Sequence, residues 1–140
     1  MNGEFDLDFK EIDDLLKALP DAAQEKVVLQ AARAGGAVIR NAAKENAPYD
    51  DSRTSGTHLR DAIKVKKIRK TGQFTAGVTV GVKSKDAPHG HLVEYGTVNH
   101  KAYPFFVPAY LAVKETAIKT MQGKMIRAIK NTAKRIGRGR

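Results

Sequence analysis

Two histidines and a glutamate lie close together in the stretch HGHLVEYGT, which begins at His89. Histidine and carboxylate side chains are common zinc ligands, and a hydrolytic zinc site uses about three of them with one position open. On a strand, His89 and His91 would share a face and Glu94 would point the other way. On a helix, His91 and Glu94 would be neighbours and His89 would not. In either case, His58 or His100 could serve only as a distant fourth ligand. Neither arrangement gathers all three, so the alternative is that both histidines cap backbone groups in a loop.

Nucleophilic and phosphate-binding chemistry find little support elsewhere in the chain. There is no cysteine, no serine stands in a glycine-flanked elbow, and GVTVGVKSK lacks the fingerprint of a phosphate-cradling loop. A pair of catalytic carboxylates would require Asp50, Asp51 or Asp61 to meet Glu94, which spacing alone does not decide. The pattern therefore predicts no enzyme, no cofactor and no metal ion.

Basic side chains are a stronger chemical signal, because Lys and Arg bind phosphate groups in a salt-dependent, sequence-independent way. They follow one predicted strand and the last predicted helix: Lys64, Lys66, Lys67, Arg69, Lys70, Lys124, Arg127, Lys130, Lys134 and Arg135. The chain has no zinc finger, no helix-turn-helix spacing and few aromatic residues among these bases for stacking. A small basic protein that binds nucleic acid non-specifically stays open, whereas a sequence-specific regulator does not fit.

Length and charge point to one small domain whose two ends carry opposite charge. A chain of 140 residues is most simply a single domain. Residues 1–25 hold eight acidic and two basic residues, a net charge of −6, and the remaining residues carry +16. Opposite charges at the two ends suit head-to-tail self-association. No apolar run approaches the ~20 residues of a membrane span, and the acidic start is unlike a signal peptide, so we expect a soluble protein made in the cytoplasm.

The elements that would position these residues begin with two helices. Apolar residues recur at helical spacing over residues 8–19, and Pro20 ends that helix. A second helix is predicted from about 22 to 46, with a stripe of small residues that indicates close packing. Gly35 and Gly36 in its middle cost about 1 kcal/mol each relative to alanine, which close backbone contact or a kink would explain.

The middle of the chain predicts a β-hairpin followed by a long helix. Residues 46–58 have loop composition, and residues 59–70 and 74–82 alternate as two strands do. The stretch HLVEYGT fits either a helical turn or a short strand. The last helix is predicted from about 109 to 136, with Pro108 at its first position. Its apolar stripe comprises Leu111, Ile118, Met121, Met125, Ile129, Ala133 and Ile136.

This element order predicts an α+β fold, in which a small antiparallel sheet of a hairpin and short strands packs against long helices. The long C-terminal helix is the largest element. Within a single domain of residues 1–140, we expect an acidic N-terminal helix (1–19), an α+β core (20–136) and a flexible basic tail (137–140).

Three stretches, in this order, resemble one protein family: NAPYDDSRTSGTHLRDAI, HGHLVEYGT and YPFFVPAY. The second contains a Val-Glu-aromatic-Gly-Thr element, and the third contains a Pro-Phe-aromatic-x-Pro-Ala element. Together they resemble the small tail-component proteins of long-tailed bacteriophages, which join or complete the tail at the head–tail neck. The resemblance spans roughly residues 20–120, and the loop DDSRTSG is longer than the usual Thr-Gly turn of that family.

The resemblance implies a non-enzymatic virion protein that assembles as a ring, expected to be a hexamer, around the DNA channel. Its partners would be other copies of itself, the connector or stopper proteins, and the tail terminator or tail-tube proteins. Basic residues would make non-specific contact with DNA in the lumen, and no membrane is involved. The assembly motif would comprise Glu94, Tyr95, Gly96, Thr97, Pro104, Phe105, Phe106, Pro108 and Ala109.

Within HGHLVEYGT, the pattern indicates an architectural role. Leu92 and Val93 are expected to anchor the stretch in the core, and Gly96 would permit a turn that a side chain would obstruct. Glu94 is expected to pair with a base, either Arg60 or a Lys or Arg of a neighbouring subunit. That pairing would hold the loop against the stretch YPFFVPA.

Overall fold

The computed structural model describes residues 9–48, 58–68, 76–83, 85–87 and 89–138. The predicted α+β class is confirmed, with a two-stranded antiparallel sheet and a long C-terminal helix. In chain order the elements are α1 (Phe9–Lys17), α2 (Asp21–Asn46), a 3-10 helix (Leu59–Ala62), β1 (Ile63–Lys67), β2 (Val78–Val82), α3 (Gly90–Tyr95) and α4 (Phe106–Arg138). The loop predicted over 46–58 falls mostly on residues 49–57, which lie outside the described residues.

The two long helices, α2 and α4, form the frame of the molecule and run antiparallel. Val27, early in α2, shares a buried cluster with Ile129, late in α4. Ala43, late in α2, shares the other buried cluster with Phe105, which immediately precedes α4. Each end of the helix pair therefore has its own small apolar core.

Between these two cores, the glycines of α2 permit the close contact that the sequence predicts. A Cβ on Gly35 would overlap the side chain of Met121 on α4, and one on Gly36 would lie 3.1 Å from Val65 Cγ1 on β1. The helix continues through both positions without a break. The two glycines therefore serve packing on two sides of α2, as the close-contact alternative predicts.

The first helix covers one end of the pair. Ile12 and Leu19 are buried in the cluster that contains Val27, and the Gln24 side-chain amide donates a 2.7 Å hydrogen bond to the Leu19 carbonyl. The predicted break at Pro20 is confirmed, since α2 begins at the next residue.

The hairpin lies along α2 with regular pairing from Ile63 opposite Val82 to Lys67 opposite Val78. The prediction of a strand from residue 59 is wrong, because Leu59–Ala62 form a 3-10 helix. Leu59 and Ala62 are both buried. Residues three apart point to opposite faces of a strand but to the same side of a helical turn. The helical turn is therefore the conformation that places both Leu59 and Ala62 in the core.

The last helix differs from its prediction in its start and in part of its buried face. It begins at Phe106, so Pro108 is its third residue, and it includes Gly137 and Arg138, which the predicted flexible tail contained. Leu111, Ile118 and Ile136 of the predicted stripe are exposed, whereas Ile129 of that stripe is buried, together with Ala109, Ala117, Ile126, Ala128 and Thr132. At the central contact of the two helices, Met121 of α4 packs on Gly35 of α2.

The predicted organisation of the chain as one domain, with internal boundaries at residues 19 and 136, stays a prediction. Among the residues that the structure describes, no helix combines the length and the apolar character that crossing a membrane requires.

Candidate functional site

The carboxylate of Glu94 connects the two stretches HGHLVEYGT and YPFFVPAY. Glu94 lies in α3, and only 8% of the residue is exposed. Its Oε1 accepts hydrogen bonds from the backbone N–H groups of Phe105 at 3.1 Å and Phe106 at 2.7 Å. Its Oε2 accepts a longer one, of 3.4 Å, from the N–H of Val107. One buried side chain therefore binds three consecutive backbone groups at the start of α4.

This contact completes the hydrogen bonding at the N-terminus of α4. The first four N–H groups of a helix have no partner within the helix, and here three of them bind Glu94. The fourth position is Pro108, which has no N–H group to satisfy. A negative charge is also favourable at a helix N-terminus, where the aligned peptide dipoles leave a partial positive charge. Glu94 is thus a helix cap supplied by a residue from another helix.

Gly96 and Thr97 shape the loop that lets α3 meet α4. Gly96 has a φ of 79°, as the predicted turn requires, and a Cβ there would lie 2.8 Å from the Ala102 nitrogen. The Thr97 hydroxyl accepts hydrogen bonds from the N–H groups of Asn99 at 3.3 Å and His100 at 3.0 Å. Both residues therefore have local structural roles, which explains the Gly-Thr pair in the motif.

The aromatic residues after this loop divide between core and surface. Phe105 is fully buried beside Ala109, and its ring meets that of Phe106 edge to face, with centroids 6.4 Å apart. Val93 packs against the same cluster, as predicted. The prediction for Leu92 is wrong, because this side chain is 44% exposed on the outer side of α3.

The histidines and Glu94 do not converge on a common point. His91 is exposed, whereas Glu94 is buried against α4. His89 precedes α3 but makes no side-chain capping bond, so the predicted cap is wrong at this position. Within the described ranges, no group of three His, Asp or Glu residues could hold a metal ion.

The predicted pairing of Glu94 with Arg60 is also wrong. The partners of Glu94 in the described part of the chain are the three backbone groups of α4. The guanidinium Nε of Arg60 instead lies 4.0 Å from Asp61 Oδ1. The predicted consequence nevertheless holds, since Glu94 does fasten its loop to the stretch YPFFVPA.

Basic residues collect on the outer face of the hairpin, the face turned away from α2. Lys64 and Lys66 alternate with residues that face the helices, and they lie opposite Gly81 and Thr79 on β2. A shallow depression of about 540 Å³ covers this face, and its lining is Lys64, Val65, Lys66, Thr79, Gly81, Val82, Lys83 and Lys85. Among the described residues, no acidic side chain lines it. We name this surface the lysine face.

Sequence reasoning did not include Lys83 and Lys85 in this group. Strand alternation could have placed Lys83, because it follows Gly81 by two residues and so shares its face. Lys67 lies at the far end of β1, with its Nζ 3.9 Å from Glu25 Oε1. Arg69 and Lys70 lie outside the described residues.

The basic residues of the last helix form a separate group. Lys124, Arg127, Lys130, Lys134 and Arg135 are all exposed, and none of them lines the depression on the hairpin. The structure therefore divides the predicted basic residues between two surfaces, one on the sheet and one on the C-terminal half of α4.

The first half of α4 exposes apolar side chains that the sequence assigned to the core or left unassigned. Val107, Tyr110, Leu111 and Ile118 are 43–57% exposed. Their spacing of three, four, seven and eleven residues places them along one side of the helix. Tyr95 is also exposed, at 76%. We name the four α4 residues the apolar face.

A family model described as "Bacteriophage HK97-gp10, putative tail-component" matches residues 10–96. The match covers more than half of the chain and includes the first of the three stretches noted in the sequence and all of the second except its last residue, Thr97. It starts earlier than the expected span of 20–120 and ends at Gly96, before YPFFVPAY. No curated protein and no solved structure matches the chain.

Proposed function

The chain belongs to the HK97-gp10-like family of phage tail components, and from this premise we propose that it is a structural protein of the head–tail neck. In this proposal it completes the tail and assembles as a ring, a hexamer, around the DNA channel. The ring joins the connector or stopper on one side to the tail terminator or tail tube on the other. It acts by binding its neighbours and performs no catalysis.

The role of Glu94 supports a non-catalytic function. A buried carboxylate beside two histidines is the arrangement in this chain that most resembles an acid/base centre. Its oxygens are occupied by the backbone of α4, and the exposed His91 points elsewhere. The residue that could do chemistry is therefore used to hold two parts of the fold together.

The observation that carries the proposal is the apolar face of α4. Large apolar residues exposed together on one side of a helix often mark a protein-binding surface. Aromatic side chains such as Tyr110 are enriched in such surfaces because they bury much area at low entropic cost. A protein that works only after assembly has a direct use for this face.

Ring formation requires contacts between two different surfaces of successive copies, since identical surfaces facing each other produce closed dimers. The chain has different surfaces available for this purpose. An acidic α1 lies at one end of the helix pair, and the lysine face lies on the hairpin. Basic side chains on α4 that are not used between copies would then contact the phosphates of DNA in the lumen.

The experiment combines the purified protein with connector and tail-tube proteins from the same genome. Negative-stain electron microscopy and light scattering should show rings, alone or with these partners, and stoichiometric binding to at least one of them. Virions that lack the protein should have unattached heads and tails. Failure to form any ring or any complex with these partners would contradict the proposal.

A second candidate is a small basic protein that binds nucleic acid without reading its sequence. The lysine face supports it, since four lysines surround a depression without an acidic residue in its described lining. Such binding depends on counterion release, so the logarithm of the binding constant should fall linearly with the logarithm of salt concentration. Tight binding of duplex DNA by the isolated monomer, with a steep salt dependence, would favour this candidate over a purely structural protein.

A further inference from the structure

A depression with a polar lining lies where the C-terminal half of α4 adjoins α2, and it shares no lining residue with the lysine face. Its volume is about 600 Å³, and one residue of α2 and five of α4 line it: Gln30, Ala128, Asn131, Thr132, Lys134 and Arg135. We name it the polar groove. Apart from Ala128, every residue of this described lining has a side chain that can donate a hydrogen bond, and none is acidic.

Helical spacing brings the α4 residues of the polar groove together. Asn131, Thr132 and Arg135 follow Ala128 by three, four and seven residues, so all four lie along one side of the helix. Ala128 and Thr132 are only 8% and 7% exposed and form the floor, whereas Asn131 and Arg135 are exposed and form the rim. Thr132 is therefore a buried polar residue at the base of an open, basic depression.

The two cations of the polar groove carry charge that no nearby acid offsets. Neither Lys134 nor Arg135 forms an ion pair with a residue that the structure describes. On the hairpin, by contrast, Lys67 and Lys83 each have their Nζ 3.9 Å from a carboxylate oxygen. An anion in the groove would therefore meet two uncompensated positive charges together with three neutral donors.

Positive charge continues from the polar groove along the solvent side of α4. Lys124 and Arg127 are exposed and precede Asn131 by seven and four residues, so they lie on the same side of the helix. The sequence from Lys124 to Arg138 contains no acidic residue. From Lys124 to Arg135 the helix rises about 16 Å, whereas successive phosphates of one DNA strand are about 3.4 Å apart along the duplex axis. A row of this length can contact several phosphates.

The donors of the polar groove are those that proteins use to bind phosphate oxygens. Lys, Arg, Asn, Gln and Thr side chains all make such contacts, and the contacts do not depend on base sequence. The described lining has no aromatic side chain for base stacking, and its single apolar residue is an alanine. A protein partner would favour large apolar and aromatic side chains, which the apolar face in the first half of α4 offers instead.

We propose that the polar groove binds backbone phosphates of duplex DNA. Lys134 and Arg135 supply the charge, and Gln30, Asn131 and Thr132 supply neutral hydrogen-bond donors. This inference rests on the proposed ring around the DNA channel and assigns the surface that faces its lumen. The cations attract the phosphates over a distance, and the neutral donors fix where a phosphate binds. The hairpin lysines have no required part in this contact.

The first test removes the two positive charges in the full chain. Lys134→Gln with Arg135→Gln keeps good helix formers at both positions, so the protein should fold. Fluorescence anisotropy of a short labelled DNA duplex should show binding about tenfold weaker at low salt. The slope of the logarithm of the binding constant against the logarithm of salt concentration should fall by about two for each copy that contacts the duplex.

The matched control for this charge removal is Lys64→Gln with Lys66→Gln. It takes the same charge from the lysine face, and both the affinity for the duplex and the salt slope should change little. A loss equal to that of the Lys134→Gln, Arg135→Gln protein would show that binding follows net charge and would reject the polar groove as the DNA site.

The second test removes neutral donors and leaves the net charge unchanged. One variant carries Gln30→Ala with Asn131→Ala, and the other carries Thr132→Val, which replaces the hydroxyl by a methyl group. Each should bind the duplex about threefold to tenfold more weakly with the same salt slope, because hydrogen bonds are lost and charges are not. Alanine favours the helix over Gln and Asn, so the first variant tests the site even if Thr132→Val impairs folding. The control is Thr116→Ala, at an exposed position of α4 outside the groove.

Other outcomes would overturn the inference in distinguishable ways. Unchanged DNA binding by the neutral variants would mean that the cations act only as dispersed charge. Weaker binding of the connector or tail-tube protein by the Lys134→Gln, Arg135→Gln protein, with DNA binding unchanged, would assign the polar groove to a protein partner. Rings of the unaltered protein in electron micrographs would leave the proposed function intact in both cases. Absence of rings, with and without the tail partners, would reject that function itself.

Discussion

Glu94 Oε1 accepts a 2.7 Å hydrogen bond from the backbone N–H of Phe106, the first residue of the long helix α4. A side chain that caps a helix usually belongs to the residue just before it. Here the cap lies twelve residues upstream in the chain, on α3. The position of α3 and the start of α4 are therefore coupled, so the loop between them and the helix should form together.

Replacement of Glu94 should destabilise the protein even though no ion pair is lost. Glu94→Ala leaves the N–H groups of Phe105 and Phe106 unsatisfied at a buried site, and we expect a loss of about 2–4 kcal/mol in the free energy of unfolding. Glu94→Gln keeps the shape and one acceptor oxygen but removes the charge, so we expect about 1–2 kcal/mol. Urea denaturation measures both values.

The matched control for Glu94 is Glu115→Gln, which removes the same charge from an exposed position of α4. It should change the free energy of unfolding by less than about 0.5 kcal/mol. Equal stability of Glu94→Gln and the unaltered protein, with ring assembly also intact, would reject the capping role.

Gly96→Ala should destabilise the protein through the backbone. The positive φ of Gly96 is unfavourable for alanine, and the added Cβ would meet the Ala102 nitrogen. We expect a loss of about 1–3 kcal/mol in the free energy of unfolding. Gly137→Ala is the control, because a Cβ there meets nothing within 4 Å and the helix gains up to about 1 kcal/mol. A neutral Gly96→Ala would mean that the loop tolerates another conformation.

The effect of Gly35→Ala should depend on residue 121. Alanine favours the helix by about 1 kcal/mol over glycine, but its Cβ overlaps the Met121 side chain. We expect the single change to be destabilising by about 1–2 kcal/mol. In a Met121→Ala background the overlap with that side chain is gone and only the Ala117 carbonyl oxygen remains close, at 3.3 Å, so Gly35→Ala should cost much less than in the unaltered protein. A double-mutant cycle measures this coupling, and additive effects would contradict the close contact.

Leu111→Glu should impair assembly without unfolding the protein. Leu111 is 57% exposed, and glutamate is a good helix former, so the thermal midpoint should change little. A charge in the middle of a buried apolar contact should weaken binding at least about tenfold. The control is Thr116→Glu, an exposed position on α4 outside the apolar face. Light scattering with the tail partners measures the difference, and equal assembly of both variants would argue against this face.

Several features could be predicted from the sequence because they depend on local patterns. The spacing of apolar residues identifies α1 and α2, and Pro20 separates them. Alternation identifies the hairpin, and the turn at Gly96 follows from the freedom of glycine to adopt positive φ. The sequence predicts that HGHLVEYGT fastens its loop to YPFFVPA, and this is confirmed. The bonding partner of Glu94 was not predictable, because it is the backbone of α4, and almost every residue has the same backbone N–H group.

Burial on α4 and the composition of the lysine face depended on tertiary structure. Periodicity predicts that an apolar side exists, but it does not tell which side meets a neighbour when the opposing helix carries alanine and glycine. Met121 packs on Gly35, whereas Leu111 and Ile118 of the same predicted stripe are exposed. The sequence by itself thus determined the elements and the uneven charge along the chain. Only the packing decided which side chains remained exposed for partners, because exposure depends on distances between residues far apart in the chain.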